Sequence, residues 1–229
     1  MWYNQTIFLL GGTLMTEIEL YNLWCANAKS DLDLQNELNS IKDDSDAIKD
    51  RFYRDLEFGT GGLRGVIGAG TNRMNVYTIK RATQGFADYL NQEYKNPNVA
   101  IAFDSRIKSD VFSKAAAEVL AANNIKVYIF DELMPTPMLS FAVRQLKCQG
   151  GIMVTASHNP AKYNGYKAYG DDGCQITLRS AEIIIEKINS LDIFEDVKST
   201  SFDDGVAKGL INYIGQDVIE LYYEKVLAE

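Results

Sequence analysis

Gly151-Ile152-Met153-Val154-Thr155-Ala156-Ser157-His158-Asn159-Pro160 is the stretch that decides the fold. Its first four residues carry no polar side chain, the pattern of a short strand buried on both faces. The run then empties into a loop that carries hydroxyls and closes on a proline. Sheets built from such strands are covered by helices, and their ligands sit beyond the carboxyl ends of the strands. Ser157 stands at that position. It is followed by His158, the only histidine of the chain, and by Lys167 ten residues on. A reactive serine there is placed to be a nucleophile or the carrier of a transferred group.

Working outward, the same alternation repeats. Residues 76–94 read as a helix, and Val99-Ala100-Ile101-Ala102-Phe103 as a strand ending at Asp104-Ser105-Arg106. Residues 111–123 read as a helix, 127–130 as a strand and 137–146 as a proline-started helix. Tyr166-Lys167-Ala168-Tyr169 is a short strand before an Asp171-Asp172-Gly173 turn, and 181–188 is a helix. The expected class is α/β, with a largely parallel central sheet flanked by helices. Asp104-Ser105-Arg106 and Ser157-His158 both follow strands, so both can face one crevice.

The flanks read differently. Residues 16–54 are helical, with Ile18, Leu20, Leu23 and Trp24 near one face and Ser30-Asp31 able to cap a second helix. Lys42-Asp43-Asp44-Ser45-Asp46 reads as a solvated turn or helix start. Residues 1–14 are expected to be an extension or cloning remnant, with Met15-Thr16-Glu17 as a more natural start. Thr6-Ile7-Phe8-Leu9-Leu10 is too short to span a bilayer and lacks the basic flank of a secretion signal, so Asn4-Gln5-Thr6 is a chance sequon. Phe58 to Gly70 holds six glycines in thirteen residues, which forbids a stable helix and reads as a flexible loop. Residues 192–206 look like an acidic linker. The expected units are therefore 1–14, a helical segment 15–54, an α/β domain 55–205, and the start of a second domain at 206–229.

The chain has 229 residues, 46% hydrophobic and 24% charged, with a net charge of −8. That balance excludes a general nucleic-acid binder, which needs a basic patch, but not a small phosphorylated ligand held by a few local cations. No membrane role is expected. Cys25, Cys148 and Cys174 are odd in number and widely spaced, which fits a reducing cytoplasm rather than a disulfide or zinc framework.

Two chemistries fail on residue type. A hydrolase nucleophile elbow needs glycines where Thr155 and Asn159 stand, and a histidine adjacent in sequence is badly placed for a triad. Nucleotide loops fail too: Arg64 replaces a glycine of the dinucleotide fingerprint, and Thr71-Asn72 replaces the P-loop Lys-Ser/Thr. What survives is Ser157 as a phosphoryl carrier, with Arg64, Lys167 and a divalent metal to balance charge and His158 or Lys167 to move a proton. Blander readings stand beside it. Ser157-His158 alone reads as an inert loop, Asn164-Gly165 as a hairpin turn, Lys167 as plain surface, and Asp104 and Arg106 as partners of each other.

Residues 155–160 resemble the phosphoserine loop of the α-D-phosphohexomutases, the phosphoglucomutase and phosphomannomutase family. Phe58-Gly59-Thr60-Gly61-Gly62-Leu63-Arg64-Gly65 resembles its arginine loop, Asp104-Ser105-Arg106 its Asp-x-Arg turn, and Tyr163-Asn164-Gly165-Tyr166-Lys167 the segment after the serine. The wording is most similar to the bacterial phosphoglucomutase branch. The resemblance implies that Ser157 is phosphorylated, that its phosphate ligates Mg2+, and that Thr60, Arg64, Asn159 and Lys167 hold phosphate. Lys167 or His158 would be the acid/base, and glucose 1,6-bisphosphate the intermediate. It also implies an N-terminal domain, inactive alone, whose partners are sugar phosphates and C-terminal domains carrying the metal, sugar and phosphate loops that this sequence lacks. Phosphopentomutase, phosphomannomutase and glucose-1,6-bisphosphate synthase remain alternatives, as does a non-catalytic phosphosugar-binding module.

Overall fold

The computed structural model describes residues 8–10 and 13–228. The sequon at Asn4 and much of the expected 1–14 extension lie outside the described residues. Within it, β1 (Phe8–Leu10) and β2 (Thr13–Met15) pair as a two-stranded antiparallel sheet.

Three short helices follow, each started by a side chain that satisfies otherwise free amides. α1 (Glu17–Asn27) opens on a capping box, in which Glu19 accepts from the Thr16 amide at 2.7 Å. α2 (Leu32–Ser40) opens on Asp31, whose Oδ1 accepts from the amides of Asp33 and Leu34 at 3.0 and 3.2 Å. α3 (Ser45–Phe52) opens on Asp44, so the charged run at 42–46 is a helix start. Their apolar faces close around the fully buried Trp24, whose ring meets Phe52 at 5.9 Å and Tyr77 and Phe194 at 5.6 Å, all edge-on.

The rest of the chain alternates. β3 (Gly62–Val66) precedes α4 (Val76–Glu93), β4 (Asn98–Phe103), α5 (Ser109–Ala122), β5 (Lys126–Ile129), α6 (Thr136–Gln145) and β6 (Gly150–Val154). Then come β7 (Tyr163–Tyr169), α7 (Leu178–Ser190), α8 (Phe202–Ala207), β8 (Ile211–Tyr213) and α9 (Gln216–Leu227). The six strands from β3 to β8 form one sheet in the order β3-β7-β6-β4-β5-β8. β7 alone runs against its neighbours, so the sheet is largely parallel, as the apolar runs predict.

Alternation along β4 explains the layers. Val99 and Ile101 face the core shared with Phe86 of α4, Phe112 of α5 and Ile184 of α7. Ala100 and Ala102 face the opposite core with Met138 and Leu139 of α6 and Val218 and Ile219 of α9. Burying both faces of so short a strand is what lets it carry no polar residue before its end.

Four expectations are corrected. Residues 62–66 are not part of a flexible loop but the edge strand β3, because a partner strand supplies the hydrogen bonds that glycine-rich chain cannot make alone. Asn164-Gly165 is not a turn; both residues lie inside β7, opposite Gly65 and Arg64. Residues 192–206 are not a free linker, since Ile193 is buried in the Trp24 cluster and Phe202 packs against the main core. Residues 206–229 do not open a separate unit in this structure. β8 pairs in parallel with β5, and Val218 and Ile219 of α9 complete the core under α6.

Candidate functional site

The site is assembled at the carboxyl ends of β4 and β6 and along the edge pair β3/β7. β6 ends at Val154, Thr155 and Ala156 stay buried, and Ser157 emerges exposed. Ser157 has a left-handed backbone, φ 55°, which a non-glycine residue keeps only when its surroundings hold it.

Those surroundings are visible. The Ser157 amide donates to Thr155 Oγ1 at 3.0 Å, and that hydroxyl donates to Asp104 Oδ2 at 2.5 Å. Asp104 Oδ1 accepts from the Arg106 amide and the Ser109 hydroxyl, both at 3.1 Å. The fully buried Asn164 donates to Ser109 Oγ at 3.0 Å, so β7 is tied into the same network.

Arg106 holds the other side of the loop. Its guanidinium donates to the carbonyls of Ser157, Asn159 (2.8 Å), Pro160 (3.3 Å) and Tyr163 (3.1 Å). Its contact with Asp104, at 3.8 Å, is the lesser one, so the two residues do not simply pair. The sequence singled out Arg106 as part of the Asp104-Ser105-Arg106 turn, but not among the catalytic or phosphate-holding residues. Its place after a buried strand and in the Asp-x-Arg turn gave no hint of this role, because the four carbonyls it gathers lie more than fifty residues downstream. Arg106→Ala is expected to free the loop locally while costing about 1–3 kcal/mol globally. Urea unfolding should register that modest loss, and amide exchange should accelerate most at residues 157–160.

The cations come from strand register. Lys167 stands opposite Gly62, and Arg64 opposite Gly165, so each long side chain faces a residue with none. Leu63 and Tyr166 turn to the core, leaving Arg64 and Lys167 together on the other face. Arg64 Nη1 donates to Asn159 Oδ1 at 3.2 Å, which links the edge strand to the serine loop. A cleft of about 450 Å3 lies here, lined by Thr60, Arg64, Thr155, Lys167, Gln175 and, among others, Arg54. In a chain of net charge −8, this is a local concentration of positive charge.

Thr60, Arg64 and Lys167 line this cleft, and Asn159 reaches it only through its bond from Arg64. Ser157 lies beside the cleft, two residues past Thr155, and is not one of its lining residues. His158 is exposed and likewise does not line the cleft. Lys167 does, and its amine is held below the usual lysine value of 10.5, by burial first and the Arg64 charge second, with Asp104 pulling the other way.

That shift has a pH consequence. Just below 10.5 the folded state binds fewer protons at Lys167 than the unfolded state, so stability from this group rises with pH through that window. Lys167→Met should therefore be more stable than wild type by most at neutral pH, and the gap should close as the pH approaches 10.5. Urea midpoints of both proteins across that range check it; a constant gap contradicts it.

The residues present do not by themselves build a magnesium site. Among the described residues no cluster of three or more His, Cys, Asp or Glu could hold a metal ion. Asp104, the carboxylate nearest the serine loop in this network, already has both oxygens engaged. Among the described residues, no helix is long and apolar enough to cross a membrane.

A doubly covered parallel sheet with its polar network at the strand ends defines an α/β/α module with a ligand crevice in the place such sheets provide. The family model for phosphoglucomutase/phosphomannomutase, alpha/beta/alpha domain I, matches residues 55–193. The chain belongs to the phosphoglucomutase/phosphomannomutase family. It is 42% identical over 171 residues to a phosphoglucomutase of Staphylococcus saprophyticus, a match covering 75% of this chain and 31% of the relative. It is 47% identical over 135 residues to a phosphoglucomutase of Staphylococcus aureus, covering 59% of this chain and 24% of that protein. The crystal structure of a phosphoglucomutase/phosphomannomutase family protein from Burkholderia thailandensis shares the fold, with a TM-score of 0.57 at 23% identity over 75% of this chain and 35% of that one. The chain spans about a third or less of the length of these relatives.

Proposed function

We propose that this chain is the serine-bearing domain of an enzyme that interconverts hexose 1-phosphate and 6-phosphate through a phosphorylated Ser157. The observation that carries the reading is the position of Ser157: exposed, left-handed, and braced on both sides next to a cleft where Arg64 and Lys167 stand together.

Phosphoryl transfer asks a protein mainly for positioning and for positive charge around the moving group. In the forward step the bond from phosphorus to Ser157 Oγ breaks and a bond to a sugar hydroxyl forms, giving a sugar bisphosphate. The sugar hydroxyl loses its proton and the serine oxygen regains one. In the return step the other phosphoryl group moves to Ser157 and the isomeric monophosphate leaves. Arg64 provides a planar fork for phosphate oxygens, and Lys167 a point charge beside them. Lys167 is the better proton carrier of the two candidates, since burial and Arg64 favour its neutral amine and it lines the cleft. His158 remains at the exposed loop tip. Thr60 and Asn159 add donors for phosphate oxygens. Magnesium would supply charge at the serine phosphate, which would be its ligand from this domain; the described residues hold no cluster of three or more His, Cys, Asp or Glu to add to it.

The test is a chimera in which this chain replaces the matching 171-residue region of the S. saprophyticus phosphoglucomutase. With magnesium and glucose 1,6-bisphosphate it should turn glucose 1-phosphate into glucose 6-phosphate, and this chain alone should not. A folded chimera without turnover, assayed beside the active relative, contradicts the proposal.

A further inference from the structure

The serine loop is anchored to a segment that the family match does not include. Lys108 sits in the turn between β4 and α5, with a left-handed backbone of φ 61° and no side-chain cap on the helix it starts. Glycine or asparagine adopts that conformation with least strain, and lysine does not. The lysine side chain is instead used at a distance. Its Nζ lies 2.8 Å from Asp33 Oδ2 and 3.7 Å from Asp31 Oδ2, both at the start of α2. Asp31 does two things at once: one oxygen caps α2 and the other faces Lys108.

From Lys108 a continuous path reaches Ser157. The next residue, Ser109, is fully buried and donates to Asp104. Asn164 donates to both the Ile107 carbonyl and the Ser109 hydroxyl, at 3.0 Å each, so it brackets Lys108 on either side. Asp104 accepts from Thr155, and Thr155 accepts from the Ser157 amide. Asp31 and Asp33 thus hold, through one lysine, the turn on which the serine loop rests. They lie upstream of residue 55, where the family match begins.

We infer that Lys108 is a positioning residue for the Ser157 loop, latched by Asp31 and Asp33 so that the N-terminal helical segment sets the order of the serine loop. Its bearing on phosphoryl transfer rests on the proposed role of Ser157; the coupling itself is readable without any phosphate.

The experiment is amide hydrogen exchange at Ser157 and Asn159, followed by NMR on the full 229-residue chain. Asp31→Asn/Asp33→Asn removes the charges and keeps a side chain able to cap α2. It should speed exchange at both amides by about two- to fivefold, the scale of an exposed ion pair. Lys108→Arg, which can keep the latch, should exchange like wild type. Lys80→Met breaks the remote 2.8 Å pair with Glu118 and should leave both amides unchanged. If the double variant folds poorly, Asp33→Asn alone removes the closer partner from a largely exposed position and is read in the same way. Unchanged exchange at Ser157 and Asn159 overturns the inference. So does equal acceleration in Lys80→Met, which would mark a global loss of stability. Accelerated exchange in a protein whose Ser157 never takes phosphate would keep the latch and sink the proposed function instead.

Discussion

Ser157→Ala in the chimera is expected to lower turnover by at least about a thousandfold, the scale on which loss of a covalent group acts. The fold should be untouched. Ser157 is exposed, and what its neighbours hold is its backbone amide and carbonyl, which alanine also has. Alanine adopts a left-handed backbone about as reluctantly as serine, so the stability change should be small. Steady-state assays and urea unfolding on the same preparation separate the two effects. An active Ser157→Ala protein would remove the serine from the reaction.

The second large effect concerns a residue with no chemistry. Gly62 has φ 137°, and a Cβ there would come 1.8 Å from the Tyr166 carbonyl oxygen across the strand pair. That carbonyl belongs to β7 backbone and cannot swing aside as a flexible side chain can. Gly62→Ala should therefore part β3 from β7, at a cost of about 3 kcal/mol or more when backbone strain and overpacking are combined. Because Gly62 faces Lys167 and Arg64 faces Gly165, the separation should also pull Arg64 away from Lys167. The expected outcome is a clearly lower urea midpoint together with weaker binding of inorganic phosphate. Ala substitution at Gly59 is the matched control, since its nearest neighbour would lie at 3.9 Å.

How much of this was legible in the sequence depends on what fixed each element. β4 and β6 were readable because a strand buried on both faces must be apolar throughout and must meet water where it ends. The place of Ser157, exposed just past the end of β6, was legible for the same reason. β3 was not, because Gly62 and Gly65 remove the alternation that marks a strand; their absent side chains serve close packing against β7 and Leu56. The blander reading of Asn164-Gly165 as a turn fails because, although the dipeptide suits a turn locally, a buried partner network keeps it extended. The end of the chain was divided wrongly, since a three-residue strand says nothing about which sheet it joins. The roles of Arg106 and Lys108 stayed hidden for a further reason: their partners are distant in sequence, and no local pattern announces a contact between residue 108 and residue 33.

The central claim is that Ser157 carries the phosphoryl group, and the most direct measurement is to locate that group. The chimera is incubated with glucose 1,6-bisphosphate and magnesium, digested, and the peptide spanning residues 155–160 sequenced by tandem mass spectrometry. One added phosphate on Ser157, lost on chasing with excess glucose 1-phosphate, is the predicted result. An active protein with an unmodified Ser157, or with its transferable phosphate on another residue, would contradict the account.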